Sequence, residues 1–233
     1  MQFSQPEQYD ELLNRGLSLS GENKAHFMAG RIQALVDCLP RGFRPCAVLD
    51  FGCGTGETAQ ALARQFTSAD VVGTDTSPEA LDYAARHNVS PRVSFCETNA
   101  LKTEPQFDLC YINGVFHHIP LAERLNIVRR VRQVLRPGGY LAFFENNPLN
   151  PGTRLIMRRI PFDRDAIPLT HWAAVRLLRE GGFQQVMKRH FLFFFPHGLS
   201  FLRRAEPCLV SLPIGAQYLI LARNVKVRTE EKS

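Results

Sequence analysis

Continuous apolar runs alternate with segments of helical period along this chain. Ala47-Val48-Leu49 is a run of the kind a strand covered on both faces requires. From Glu57 to Phe66, residues Ala59, Leu62, Ala63 and Phe66 then fall on one helical face. The alternation continues, with strands predicted at 70–75, 93–96, 109–115, 140–144, 183–195 and 217–223. A helix opens at Ser77, an N-cap followed by Pro78 and Glu79. Another covers 121–135, with Leu121, Leu125, Val128, Val131 and Leu135 on its buried face, arginines on the other, and Pro137-Gly138-Gly139 as its stop. Thr170 caps a last helix that ends at Gly181-Gly182. Two helices at 9–19 and 23–39 precede the first strand. Strands alternating with helices predict an α/β fold built on a parallel sheet.

The turn after the first strand carries the clearest chemistry. Asp50 closes the strand, and Gly52, Gly54 and Gly56 follow at alternate positions. Glycine lets backbone approach a ligand, and the next helix would aim free N–H groups into the loop. The dinucleotide fingerprint G-x-G-x-x-G fails here, because Glu57 stands at its third glycine. A phosphate-binding P-loop fails too, since no lysine follows the glycines. An acid before the first glycine would repel a pyrophosphate and suits a ligand carrying an ammonium group. Asp75 ends the second strand at about the 20-residue spacing expected of an acid that grips ribose hydroxyls.

Four ordered segments resemble the class I S-adenosylmethionine-dependent methyltransferases, in particular small-molecule enzymes of the quinone-biosynthesis group. They are Asp50-Phe-Gly52-Cys53-Gly54-Thr-Gly56, Val72-Gly-Thr-Asp75, Phe107 through His117-His118-Ile119, and Leu135-Arg-Pro137-Gly138-Gly139. The resemblance covers roughly residues 45–145. It implies a Rossmann-like, doubly wound, mostly parallel seven-stranded sheet with an antiparallel seventh strand at 217–223 and an N-terminal helical lid. The implied division is a lid at 1–40, a methyltransferase domain at 41–224 and a polar tail at 225–233. S-adenosylmethionine, leaving as S-adenosylhomocysteine, is the implied cofactor. Asp50, Gly52, Cys53, Gly54 and Gly56 would surround its methionine end, Asp75 and Thr76 its ribose, and Asn99, Ala100 and Leu101 its adenine. Asn99 departs from the aspartate common in the family, although an amide carbonyl still accepts a hydrogen bond. The backbone carbonyl of Asn113 would take the methionine ammonium. Arg31 is a candidate for the methionine carboxylate, with Tyr9 and Phe27 as further lid contacts.

Composition narrows the partners. The chain has 233 residues and a formal net charge of +6, with its basic residues scattered. No aromatic-interleaved basic run suggests nucleic acid, and no Asn-Pro-Pro-Tyr-type tetrapeptide follows the fourth strand. The six cysteines show neither C-x-x-C pairs nor zinc spacing, so reduced core thiols are expected, and no metal. The first residues lack a basic-then-apolar signal pattern, and no apolar stretch reaches transmembrane length. A cytoplasmic protein, peripheral to a membrane at most, is the expectation.

The acceptor side is less legible. Two insertions, 146–169 and 196–215, would flank it; the first is long for such a loop. His117 and Glu145, at the ends of the fourth and fifth strands, are the candidate catalytic bases. His118, Asn146, Arg154 and Arg158 are the candidate acceptor contacts, the two arginines one helical turn apart. The second insertion, apolar with Arg203 and Arg204, suggests an interfacial helix, a pocket roof or a dimer contact. The expected acceptor is a small organic molecule, anionic or lipid-linked, attacked at oxygen first, then carbon or nitrogen. The alternatives are a nicotinamide-dependent oxidoreductase and a non-catalytic nucleotide-binding partner subunit.

Overall fold

The structure is a computed structural model that describes residues 22–183, 185–195 and 197–225. The helix expected at 9–19, with Tyr9, and all but the first residue of the polar tail lie outside these. Helix α1 spans Lys24–Cys38, with Asn23 accepting from the His26 N–H at its start. Then come β1 (Ala47–Phe51), α2 (Glu57–Gln65), β2 (Asp70–Asp75), α3 (Pro78–His87), β3 (Val93–Glu97), β4 (Phe107–Asn113), α4 (Leu121–Val134) and β5 (Leu135–Asn146). The chain continues through α5 (Pro151–Arg159), α6 (His171–Glu180), β6 (Gln185–Leu192), α7 (Glu206–Leu209) and β7 (Gln217–Arg223).

One seven-stranded sheet runs in the order β3-β2-β1-β4-β5-β7-β6. The first five strands are parallel, and β7 enters antiparallel between β5 and β6. Successive residues of a central strand face opposite layers, as strand geometry demands. Leu49, Ile112 and Phe143 pack with Val128 and Val131 of α4 and Leu178 of α6. Their neighbours Val48, Tyr111 and Phe144 pack with Leu35 of α1 and Leu62 of α2. Strand order reverses between β1 and β4, and the loops leaving these two strands open a crevice there, the usual ligand site of such sheets.

Three expectations are corrected. Leu121 is 64% exposed, whereas Arg124 is 4% exposed in the supposedly polar row of α4. The Arg124 guanidinium ties the first turn of α4 down by donating to the carbonyls of Ile119 (2.8 Å) and Ile167 (2.7 Å). Leu135 belongs to β5, opposite Phe107, and Pro137-Gly138-Gly139 forms a register shift inside that strand. The 196–215 insertion holds a 3-10 segment (His197–Ala205) and the four-residue α7 in place of an interfacial helix. Among the described residues no helix is long and apolar enough to cross a membrane.

The 146–169 connection is ordered by its asparagines. Asn150 caps α5, accepting from the Thr153 N–H at 2.9 Å. The Asn147 amide donates to the carbonyls of Pro213 and Gly215, and the Thr153 hydroxyl to that of Ala216, so the two insertions are stitched together. A 3-10 turn, Pro161–Asp163, follows α5 and brings the chain back toward the end of β4.

Candidate active site

The glycine loop is held by backbone geometry. The N–H groups of Gly52 and Cys53 both donate to the Thr74 carbonyl, at 2.7 and 2.9 Å. Gly52 has φ +75°, and a Cβ there would lie 2.4 Å from Val115 Cγ2. Left-handed strain costs about 1–2 kcal/mol and overpacking about 1–3 kcal/mol. Gly52→Ala is therefore expected to lower stability by about 2–5 kcal/mol. Adding Val115→Ala should restore the packing share, which urea denaturation of both variants would read. Gly54, at φ +52°, has nothing within 4 Å of its Cβ position and faces open space.

That space is a cavity of about 470 Å³, with Gly52, Gly54, Asp75, Thr76, Asn99 and Asn113 in its lining. Asp75 is both wall and brace: its Oδ2 accepts from the Gly54 N–H (2.9 Å) and its Oδ1 from the Ser77 N–H (3.0 Å). Each oxygen keeps a lone pair for a ligand hydroxyl. Arg130, which the sequence reading left on a solvated face, lines this cavity and holds the turn carrying Asn99 through the carbonyls of Thr98 (2.7 Å) and Leu101 (3.3 Å).

Asp50 immediately precedes Phe51, which lines this cavity. It is 2% exposed, and its Oδ2 has no partner. Burial first, then the Asp75 charge, push its carboxyl up to about 7, against the Ala59 N–H of α2 and the Arg31 guanidinium, which favour the anion. Asn113 Oδ1 is likewise buried without a partner. Cys53 stays a thiol, raised by burial and then by the Asp50 and Asp75 charges.

A second cavity of about 160 Å³ adjoins the first, and Asn113, Gly114 and His118 line both. Helix α1 supplies Lys24, Phe27 and Arg31 to this cavity, and the ordered connection supplies Thr153, Met157 and Asp163. Arg31 donates to Gln217 Oε1 at 3.2 Å, and Gln217 donates to Asn146 Oδ1 at 2.9 Å, so the β7 start joins α1 to the β5 end. Lys24 donates to the Thr55 hydroxyl at 3.1 Å and ion-pairs with Glu57.

His117 is 4% exposed and Glu145 0%. His117 Nδ1 sits 2.6 Å from Glu145 Oε2, while Glu145 Oε1 accepts from the Phe116 N–H at 2.7 Å. On its other side His117 Nε2 faces Asp163 Oδ1 at 3.4 Å. Burial alone would lower the imidazole; the charges and hydrogen bonds of Glu145 and Asp163 outweigh it and push it up to about 10. An imidazole so held is already protonated at neutral pH and has no lone pair for a base. Asp163 is lowered although burial opposes it, through its hydrogen bonds and attraction to His117 and His118.

The structure gathers most of the expected site residues and separates others. Arg31 lines the second cavity rather than the first. Gly56 packs behind the loop, where a Cβ would meet Ala84 and Phe95 at 2.8 Å. Leu101 is core, Ala100 is exposed, and neither lines either of these two cavities. Arg154 and Arg158 are exposed, because α5 turns Thr153, Ile156, Met157 and Ile160 to the cavity instead. Asp163 and Lys24 were missed. Asp163 had one faint signal, its place in a connection longer than a structural loop needs.

Residues 48–139 match the family described as methyltransferase domain. A trans-aconitate 2-methyltransferase of Methylobacterium nodulans is 33% identical over 118 residues, 50% of this chain and 44% of that protein. One from Deinococcus radiodurans is 39% identical over 100 residues, 42% of this chain and 38% of that protein. Residues 48–139 carry a methyltransferase domain of the class I S-adenosylmethionine-dependent type. It spans less than half the length of these curated relatives. A solved S-adenosylmethionine-dependent methyltransferase of Mesorhizobium loti shares the fold at TM-score 0.60 and 19% identity, covering 83% of this chain and 97% of its own. One from Archaeoglobus fulgidus does so at 0.63 and 14%, covering 86% and 95%.

The methyltransferase cavity fits S-adenosylmethionine. Asn113 Oδ1, of a lining residue, and Asp50 Oδ2, one residue before the lining Phe51, are orphaned buried acceptors, as a ligand ammonium would require. Asp75 would offer two oxygens to a ribose and Asn99 an amide to an adenine, both lining this cavity.

Proposed function

We propose that this methyltransferase transfers the methyl group of S-adenosylmethionine to an oxygen of a small anionic acceptor, a carboxylate first. The observation that carries this reading is the pair of cavities joined at Asn113, Gly114 and His118. Bound S-adenosylmethionine supplies a methyl on a positive sulfur, with its leaving group built in. The chain's work is then alignment and exclusion of water. Asp50, Asn113 and Asp75 fix the donor on one side of the junction. Across it, Lys24 and Arg31 bring cationic groups to the acceptor wall beside the acid Asp163, Lys24 being shared with Glu57 and His117 with Glu145.

A carboxylate is already ionised at neutral pH and attacks without a base. A hydroxyl usually needs one, and His117 is already protonated. The relatives named for trans-aconitate make tricarboxylates the first acceptors to try, although their likeness is confined to about half of this chain. The test is transfer of labelled methyl from S-adenosylmethionine to a panel of mono-, di- and tricarboxylates, phenols and amines. A product whose label is released as methanol by mild alkali is expected. Alkali-stable label would move the reading to hydroxyl or nitrogen acceptors. Tight cofactor binding with no transfer to any of them would support the non-catalytic binding subunit.

A further inference from the structure

His117, His118 and Asp163 come from two separate 3-10 turns, Phe116–His118 after β4 and Pro161–Asp163 after α5. The donation from the Ile167 N–H to the His117 carbonyl at 2.9 Å locks these turns together. One carboxylate oxygen, Asp163 Oδ1, faces two imidazole nitrogens almost equally: His117 Nε2 at 3.4 Å and His118 Nε2 at 3.3 Å. One ligand atom from each of the three residues lies within 4.8 Å of the others.

These separations are long for a charge-assisted hydrogen bond, which settles near about 2.7–2.9 Å. They match the edge of a tetrahedron. With metal–nitrogen and metal–oxygen bonds of about 2.0–2.2 Å, neighbouring ligands of a four-coordinate ion stand about 3.4 Å apart. The surroundings agree. Glu145 Oε2 is 2.6 Å from His117 Nδ1, the outer carboxylate that fixes a ligating imidazole with its Nε2 lone pair facing inward. Glu145 is itself fixed by the Phe116 N–H. A divalent ion at His117 Nε2 would take the place of the proton held there in the ion-free protein, released to solvent on binding.

We propose that His117, His118 and Asp163 bind a divalent first-row transition ion whose remaining coordination positions open onto the acceptor cavity. All three residues line that cavity, and the His118 side chain, 35% exposed, marks the entry path. The donor set, two imidazoles and one carboxylate with free positions, suits zinc, cobalt or iron(II) rather than magnesium or calcium. The free positions accept an oxygen of an anionic acceptor; that clause alone rests on the methyl-transfer reading.

The experiment uses the full chain after chelator treatment, titrated with Co²⁺ and followed by its visible ligand-field absorption, with Zn²⁺ in competition. One equivalent should bind with the intense spectrum of four- or five-coordinate cobalt. His118→Gln and Asp163→Asn should each weaken binding tenfold or more. Cofactor affinity for S-adenosylhomocysteine and the thermal melt are read on the same samples. The His118 side chain is about one-third exposed, so His118→Gln decides the matter even if Asp163→Asn fails to fold. A wild-type chain that melts cooperatively yet gives no saturable cobalt spectrum overturns the proposal. So does a His118→Gln variant that binds as tightly as wild type. Saturable cobalt binding without methyl transfer would leave the ion site standing while the methyl-transfer reading fell.

Discussion

Asp50→Asn will make the cofactor-free protein more stable at pH 8 while costing it most of its affinity for S-adenosylmethionine. The Asp50 carboxyl is buried, its Oδ2 has no partner, and its pKa is pushed up to about 7 by burial and by Asp75. An acid raised in the folded state holds its proton where the unfolded chain has lost it. The native protein therefore binds the extra proton between pH 4 and 7, and stability falls as pH rises through that window. The shift amounts to roughly 4 kcal/mol at full ionisation, an upper bound because the site relaxes. Asparagine keeps an oxygen for the Ala59 N–H and carries no charge, so it should recover about 2–3 kcal/mol at pH 8 and nothing at pH 4. The ligand ammonium loses its counter-charge in the same variant, which should weaken binding about a hundredfold. Wild-type affinity should itself drop about tenfold per pH unit below 7, and the variant should be flat. Urea denaturation at both pH values, with calorimetric titration across them, reads all of this. Equal stability at pH 8 would mean that the carboxylate finds solvent; equal affinity would mean that the methionine end lies elsewhere.

The contrast between the two halves of the site explains what the sequence made legible. The donor half is local. Strand, glycine turn and helix lie within one short segment, so Asp50, Gly52 and Gly54 could be placed from residue order, and Asp75 from one spacing. The acceptor half is assembled across the chain. Asp163 reaches His117 only because Asn147 and Thr153 bind the carbonyls around Gly215 and so set the path of the whole connection. No periodicity announces such a path. Arginines misled for a related reason. Arg124 and Arg130 sit on a face that reads as solvated, yet each long stem carries its guanidinium to backbone carbonyls at a loop. Arg154 and Arg158 were rightly put on one face of a helix, but the register of α5 was set by Asn150 and turned that face outward. The antiparallel β7 followed the resemblance, whereas the start of β5 at Leu135 needed the pairing with Phe107 to be seen.

Glu145→Leu will be among the most destabilising single changes in the chelator-treated protein, lowering stability by about 3–5 kcal/mol. For a domain of this size that corresponds to a melting temperature lower by about 6–20 °C. Two losses add. The Phe116 N–H, now bonded at 2.7 Å, is left buried and unsatisfied. His117 keeps only the longer contact to Asp163, with its ring still out of water. Glu145→Gln should cost less, about 1–3 kcal/mol, since an amide oxygen still accepts from Phe116 while the ion pair is lost. The decisive comparison is the double variant Glu145→Leu with His117→Phe, which removes both buried charges at once. It should be more stable than Glu145→Leu alone, giving a coupling energy of at least about 2 kcal/mol in the double-mutant cycle. A Glu145→Leu protein within about 1 kcal/mol of wild type would show that the buried pair contributes nothing net, as some do not. In that case the pair would have to be explained by geometry alone. His117 forms part of the acceptor-cavity wall beside Gly114, where the two cavities join, and a carboxylate that holds the ring in one orientation keeps that wall in place. Stability and cavity shape are separable in the same samples, because a shifted wall changes acceptor KM whether or not the melt moves.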